Sequence, residues 1–140
     1  MYVLDSNVFA SIIVKDEFYA RALRFLRENF NRRLVTVDFA FVEVANTLWK
    51  HVHVLRRIPE DKYRVLRRSI RPLISSAVSS IYDAVGLLET AIDNALNFDI
   101  TVYDSLYVTL ALDKRCKLVS FDEELRRRLK KHGVDLLVSP

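Results

Sequence analysis

Four carboxylates stand at positions where a folded chain has reason to gather them. Asp5 closes the apolar run Tyr2-Val3-Leu4, and Asp122 follows Lys117-Leu118-Val119-Ser120-Phe121. Glu43 is embedded in Phe41-Val42-Glu43-Val44-Ala45-Asn46, and Asp104 in Thr101-Val102-Tyr103-Asp104-Ser105-Leu106. Ligands of open parallel sheets bind beyond the carboxyl ends of the strands, so Asp5 and Asp122 are expected to face one crevice. A carboxylate among apolar residues needs a partner, because an isolated buried charge is very costly. No Lys, Arg or His adjoins any of the four in sequence. Acids converging without basic partners repel one another until protons or a hard cation neutralise them, and an all-oxygen donor set suits magnesium or manganese. Taken singly, Asp5, Asp104 and Asp122 also read as helix N-caps. Glu43, near an apolar helix face, has no such plain explanation.

The elements that must position these acids alternate in period. Tyr2–Leu4, Leu34–Val37, Lys117–Phe121 and Val134–Val138 read as buried parallel strands. Amphipathic helices are expected from Asp16 to Phe30, from Phe39 to His53, from Pro59 onward, from Asp83 to Asn97, from Tyr103 to Lys114, and from Phe121 to the basic run ending at Lys131. Gly133 is placed to cap the last of these. Ile74 to Ile81, with its paired serines, reads either as a short strand or as a loop. Strands alternating with helices predict one α/β domain over residues 1–140 with a mainly parallel sheet covered on both faces.

Composition narrows the function classes. The chain has 140 residues, 51% of them hydrophobic, enough to fill a core and to exclude global disorder. Its one cysteine, Cys116, excludes an internal disulfide and a cysteine zinc site. The amino terminus lacks the basic and apolar regions of a secretory signal, and charges interrupt every apolar stretch before it reaches membrane-spanning length. A cytoplasmic protein is therefore expected. His51 and His53 alternate with valines and have no matching nucleophile motif, so they read as a helix end or loop. Trp49, Tyr103 and Tyr107 have rings that can stack on bases, but their apolar helical neighbours place them in the core.

Four motifs, in order and spacing over nearly the whole chain, resemble PIN-domain ribonucleases: Val3-Leu4-Asp5-Ser6-Asn7-Val8-Phe9, Glu43-Val44-Ala45-Asn46, Tyr103-Asp104-Ser105-Leu106-Tyr107-Val108-Thr109-Leu110-Ala111 and Leu118-Val119-Ser120-Phe121-Asp122. The likeness is greatest to the toxin half of VapBC-type toxin–antitoxin pairs; Pro59 to Ile81 matches little. The resemblance implies a single three-layer α/β/α domain with a sheet of about five strands, and it implies that Asp5, Glu43, Asp104 and Asp122 bind one or two magnesium or manganese ions and hydrolyse RNA phosphodiesters through activated water. It places Ser6, Asn7 and Ser120 around that site, where small polar groups orient carboxylates. It also implies a homodimer and a cognate antitoxin covering the site.

Setting the four acids aside from the 18 in the chain leaves 14 against 22 basic residues, a balance of +8 over the remaining surface. A negative pocket in a basic surface suits a phosphate backbone. Lys50, Arg56, Arg57, Arg126, Arg127, Lys130 and Lys131 are the candidate contacts. Apolar residues available to an interface include Phe18, Phe25, Phe30 and Phe39, although core packing accounts for them too. A phosphatase of the haloacid dehalogenase type would need a second acid where Asn7 stands, and a receiver domain would need a late-strand lysine; neither accounts for Glu43. A stand-alone RNA-processing nuclease and a non-catalytic RNA- or protein-binding module remain as alternatives.

Overall fold

In the computed structural model, which describes residues 1–140, five short strands form one all-parallel sheet in the order β3-β2-β1-β4-β5. These are β1 (Tyr2–Leu4), β2 (Leu34–Val37), β3 (Ser80–Tyr82), β4 (Lys117–Val119) and β5 (Leu137–Val138). The helices are α1 (Ser6–Val14), α2 (Tyr19–Glu28), α3 (Phe39–Trp49), α4 (Glu60–Ala77), α5 (Ala84–Phe98), α6 (Val102–Asp113) and α7 (Glu123–Lys131). The chain winds outward from β1 to β3, then returns to the other side of β1 for β4 and β5. The switch point therefore lies between β1 and β4, paired with Leu4 opposite Val119.

Alternation along the strands builds two cores. Val3, Val35 and Leu118 point to one face, where Leu106, Leu110 and Leu129 cover them. Leu4, Leu34 and Val119 point to the other, against Val8, Phe9, Val44, Leu48 and Ile74. The period of two sends successive side chains to opposite layers, and helices on both faces keep them dry. Helix α6 lies deepest, buried continuously from Ser105 to Ala111. Gly133, at φ 76°, takes the left-handed conformation just beyond α7, as its position predicts.

The sequence expectations are revised in several places. The segment Ile74 to Ile81 is divided: Ile74 to Ala77 ends α4, and Ser80 and Ile81 begin β3. Helix α4 continues through Ser75 and Ser76 because Ile70 and Ile74 bury its inner face. The helix from Phe39 keeps its α geometry only to Trp49, and Lys50–Val54 form a π turn containing both His51 and His53. Strand β4 stops at Val119, and β5 is limited to Leu137–Val138. Phe30 is 83% exposed, so core packing does not account for it.

Candidate active site

The switch point fixes the first acid. Asp5 follows β1 and takes the N-cap position of α1, yet its carboxylate does not cap that helix. It turns inward instead. Oδ2 accepts hydrogen bonds from Ser120 Oγ at 2.6 Å and Asn7 Nδ2 at 2.7 Å, and Oδ1 accepts from Ser6 Oγ at 3.2 Å. Asn7 Nδ2 also donates to Ser120 Oγ at 2.8 Å, and Asn7 Oδ1 accepts from the Phe121 N–H at 3.2 Å. Ser120 Oγ accepts from the Asp122 N–H at 3.0 Å. Asn7 and Ser120 thus tie the end of β1 to the end of β4, and Ser6 bonds the same carboxylate from its own side. Burial, with repulsion from Glu43 and Asp104, pushes the Asp5 carboxyl up to about 7 despite the Ser120 bond that opposes it.

The remaining acids come from three helices. Glu43, in the second turn of α3, accepts a hydrogen bond from the Tyr107 hydroxyl. Its carboxyl is raised above the ordinary range by burial, with Asp104 adding to the shift and Tyr107 and Ser6 opposing it. Asp104 lies in the first turn of α6 but is not its N-cap. Thr101 holds that place, its Oγ1 accepting from the Asp104 N–H at 3.1 Å and donating to Asp104 Oδ2 at 2.8 Å, a reciprocal cap. Burial again raises Asp104, Asp122 adds to this, and Thr101 and Arg128 oppose it. Asp122 does cap α7, accepting from the Leu125 N–H at 2.8 Å.

Two depressions border these acids. One, of about 190 Å³, is bordered by Thr101, Asp104, Asp122, Glu124 and Arg128. The other, of about 280 Å³, is bordered by Phe39, Val42, Glu43, Asn46 and Tyr103. Asp5 lies buried at the strand ends behind them. No three of the acids converge on one point as they stand; Asp104 is bonded to Thr101 and Asp122 to the start of α7. None of the four is in an ion pair.

The aromatic expectations divide. Tyr107 is 2% exposed and packs in the core, but its hydroxyl reaches the site. Burial and the nearby Asp5 and Glu43 raise its phenol far above the ordinary value, so it remains a donor. Nothing in the sequence marks Tyr107 beyond its place one turn after Asp104 and the need of a buried phenol for a partner. Thr101 is legible afterwards as the residue three before Asp104. Trp49 and Tyr103 are 50% and 60% exposed, against the core placement expected for both. Tyr103 stacks on Phe39 with centroids 5.4 Å apart.

The basic candidates separate by partner. Arg127 is held by both oxygens of Glu124, and Arg126 Nε lies 3.3 Å from Glu123. Lys130 is 3.9 Å from Asp135. Lys50, Arg56, Arg57 and Lys131 are exposed and make no ion pair. Arg64, Arg67, Arg68 and Arg71 of α4, which no sequence motif singled out, share that condition. Arg128 borders the Asp104–Asp122 depression and pairs with Glu124 and Asp99.

Comparison with known proteins identifies the family and the fold. The family described as PIN domain matches residues 2–131. Ribonuclease VapC3 of Pyrobaculum aerophilum is 30% identical over 128 residues, which span 90% of this chain and 92% of that relative. The crystal structure of PAE2754 from Pyrobaculum aerophilum is similar with a TM-score of 0.71 and 19% identity, covering 99% of this chain and 89% of the other. That of VapBC2 from Rickettsia felis, bound to a DNA fragment from their promoter, has a TM-score of 0.61 and 16% identity, covering 99% and 98%. At such identities these two structures speak for the fold.

Proposed function

The chain belongs to the PIN-domain family, and on that premise we propose that it is a divalent-metal-dependent endoribonuclease, the toxin of a toxin–antitoxin pair, with residues 1–140 acting as one domain. The observation that carries this reading is the buried Asp5 at the switch point, raised by burial and by Glu43 and Asp104, with no cation paired to any of the four acids. Arg128, the cation bordering these acids, is held by Glu124 and Asp99, and four unpaired acids offering oxygen donors alone suit a hard divalent ion. The name of the Pyrobaculum relative supplies the reaction class.

Asp5, Asp104 and Asp122 are the residues that would hold magnesium or manganese, which when bound supplies Lewis acidity and lowers the pKa of water. Asp104 and Asp122 exchange their present cap bonds for that role. Glu43, oriented by the Tyr107 hydroxyl, takes the proton from the attacking water as the new P–O bond forms and a backbone P–O bond breaks, and the departing ribose oxygen takes a proton from solvent. Ser6, Asn7 and Ser120 hold Asp5 in place. Lys50, Arg56, Arg57 and Lys131 offer cations to the RNA backbone, and Arg126, Arg127 and Lys130 do so only by leaving their acid partners.

The partner is an antitoxin protein, in keeping with the VapBC pair named above, and the setting is the cytoplasm. The homodimer forms through α5, where Val85, Leu88, Ile92 and Leu96 make one exposed apolar row. The phenylalanines considered for this role do not form such a row.

The test is incubation of the purified protein with mixed RNA in magnesium, manganese or EDTA, beside Asp5→Asn and Asp104→Asn. Cleavage that needs metal and disappears in both variants supports the proposal. Metal-independent cleavage, or cleavage unchanged in the variants, overturns the four-acid site. Absence of both metal binding and cleavage in the wild type leaves a binding module.

A further inference from the structure

Away from the acids, the outer face of α3 carries a feature that the hydrolytic site does not use. Val42, Asn46, Trp49 and His53 follow at steps of three or four residues beside Glu43, while Ala40, Val44 and Leu48 face the core. Trp49, the chain's one tryptophan, is half exposed, and its ring lies 5.4 Å from His53 with 23° between the planes. Six residues, about 9 Å of helix at 1.5 Å per residue, separate it from Glu43.

Trp49 borders a groove of about 540 Å³ between the end of α3 and α4, whose walls also include Tyr63, Arg56 and Arg67. The Arg67 guanidinium sits over the Tyr63 ring, 5.6 Å from its centroid. Glu60 is the only acid on this wall. Lys50, Arg57, Arg64, Arg68 and Arg71 are exposed on the same two segments, and neither they nor Arg56 and Arg67 make an ion pair. Within the groove itself Arg56 and Arg67 outweigh Glu60, among lining residues that are mostly apolar; a net positive wall beside an exposed aromatic face suits a polyanion that carries planar groups.

We propose that this groove is a subsite for single-stranded RNA, with an unpaired base stacked on the free face of Trp49 and neighbouring phosphates on Arg56 and Arg67. The strand then runs along α3 past Asn46 to the acids. This rests on the ribonuclease reading given above and adds to it where the substrate is gripped and why it is single-stranded: a paired base has no free face to offer. Stacking of this kind is tolerant of sequence.

Trp49 is its own reporter. The full chain is titrated in EDTA with single-stranded oligoadenylate, and separately with the same strand paired to oligouridylate, while tryptophan emission is followed. Saturable quenching by the single strand, and less by the duplex, is expected. Trp49→Ala weakens binding of the labelled single strand roughly 5- to 100-fold, and Trp49→Phe restores most of it. Arg56→Gln with Arg67→Gln lowers the dependence of affinity on salt. Unchanged emission on RNA binding, or equal affinity in Trp49→Ala, overturns the subsite and leaves the groove to a protein segment. If the wild type neither binds nor cleaves RNA, the ribonuclease reading falls first; cleavage with unmoved Trp49 emission overturns the subsite alone.

Discussion

Replacing Asp5 by asparagine separates what this residue costs the metal-free fold from what it gives the reaction. The Asp5 carboxyl holds its proton in the folded chain up to about pH 7, against an ordinary value of 3.8 in the unfolded chain. The folded state therefore binds the extra proton, and stability falls as pH rises through the window from about 4 to 7. A shift of about three units is worth about 4 kcal/mol in full. Asparagine removes the charge but leaves one of the bonds from Ser6, Asn7 and Ser120 unmade, a loss of about 1 kcal/mol. In EDTA at pH 8 the variant is thus expected to be the more stable chain by about 3 kcal/mol. At pH 5, where Asp5 is already protonated in the fold, the difference shrinks to within about 1 kcal/mol. Urea unfolding followed by circular dichroism at both pH values reads this directly. Magnesium at a hundredfold excess over its dissociation constant returns about 2.7 kcal/mol to the wild type at pH 8, and much less to the variant. A wild-type-minus-variant difference that stays flat between pH 5 and pH 8 would refute the argument, because Asp5 would then be ionised in the metal-free fold.

Other consequences are as concrete. Tyr107→Phe removes the hydroxyl bonded to Glu43; a loss of about 10- to 100-fold in cleavage is expected, the usual effect of such supporting bonds, with the fold retained by circular dichroism. Thr101→Ala breaks the reciprocal cap at the start of α6 and should cost about 1 kcal/mol in urea unfolding. Val85→Asp with Leu96→Asp should convert a dimer to a monomer in light scattering without loss of helix content; a mass unchanged by the pair would remove α5 from the interface.

The acids were legible in the sequence because each interrupts an apolar pattern: Asp5 ends a strand at the sheet centre, and Glu43 stands where a hydrophobic residue would be routine. Asp104 was legible as an acid opening a helix, but the cap itself is Thr101, since the helix starts at Val102. Tyr107 reads as a core residue, and its ring does lie there, but periodicity says nothing of its hydroxyl, which reaches Glu43. Trp49 and Tyr103 were misplaced for the converse reason: apolar neighbours on a helix do not say which face a bulky ring takes. The serines near the end of α4 pointed to a loop, yet Ser76 Oγ bonds to the Leu73 carbonyl at 3.1 Å and the helix passes through. Burial of Ile70 and Ile74 outweighs the local preference of serine for turns. The widened π turn after Trp49 has no counterpart in periodicity.

The bond between Asn7 and Ser120 spans 113 positions of sequence. A chain made from its amino end cannot form it until those residues have followed, and a nascent chain lacking β4 leaves one edge of β1 unpaired and Asp5 without Ser120. Asp5 and the groups that orient it therefore come together late in biosynthesis, only once β4 and Ser120 have been made.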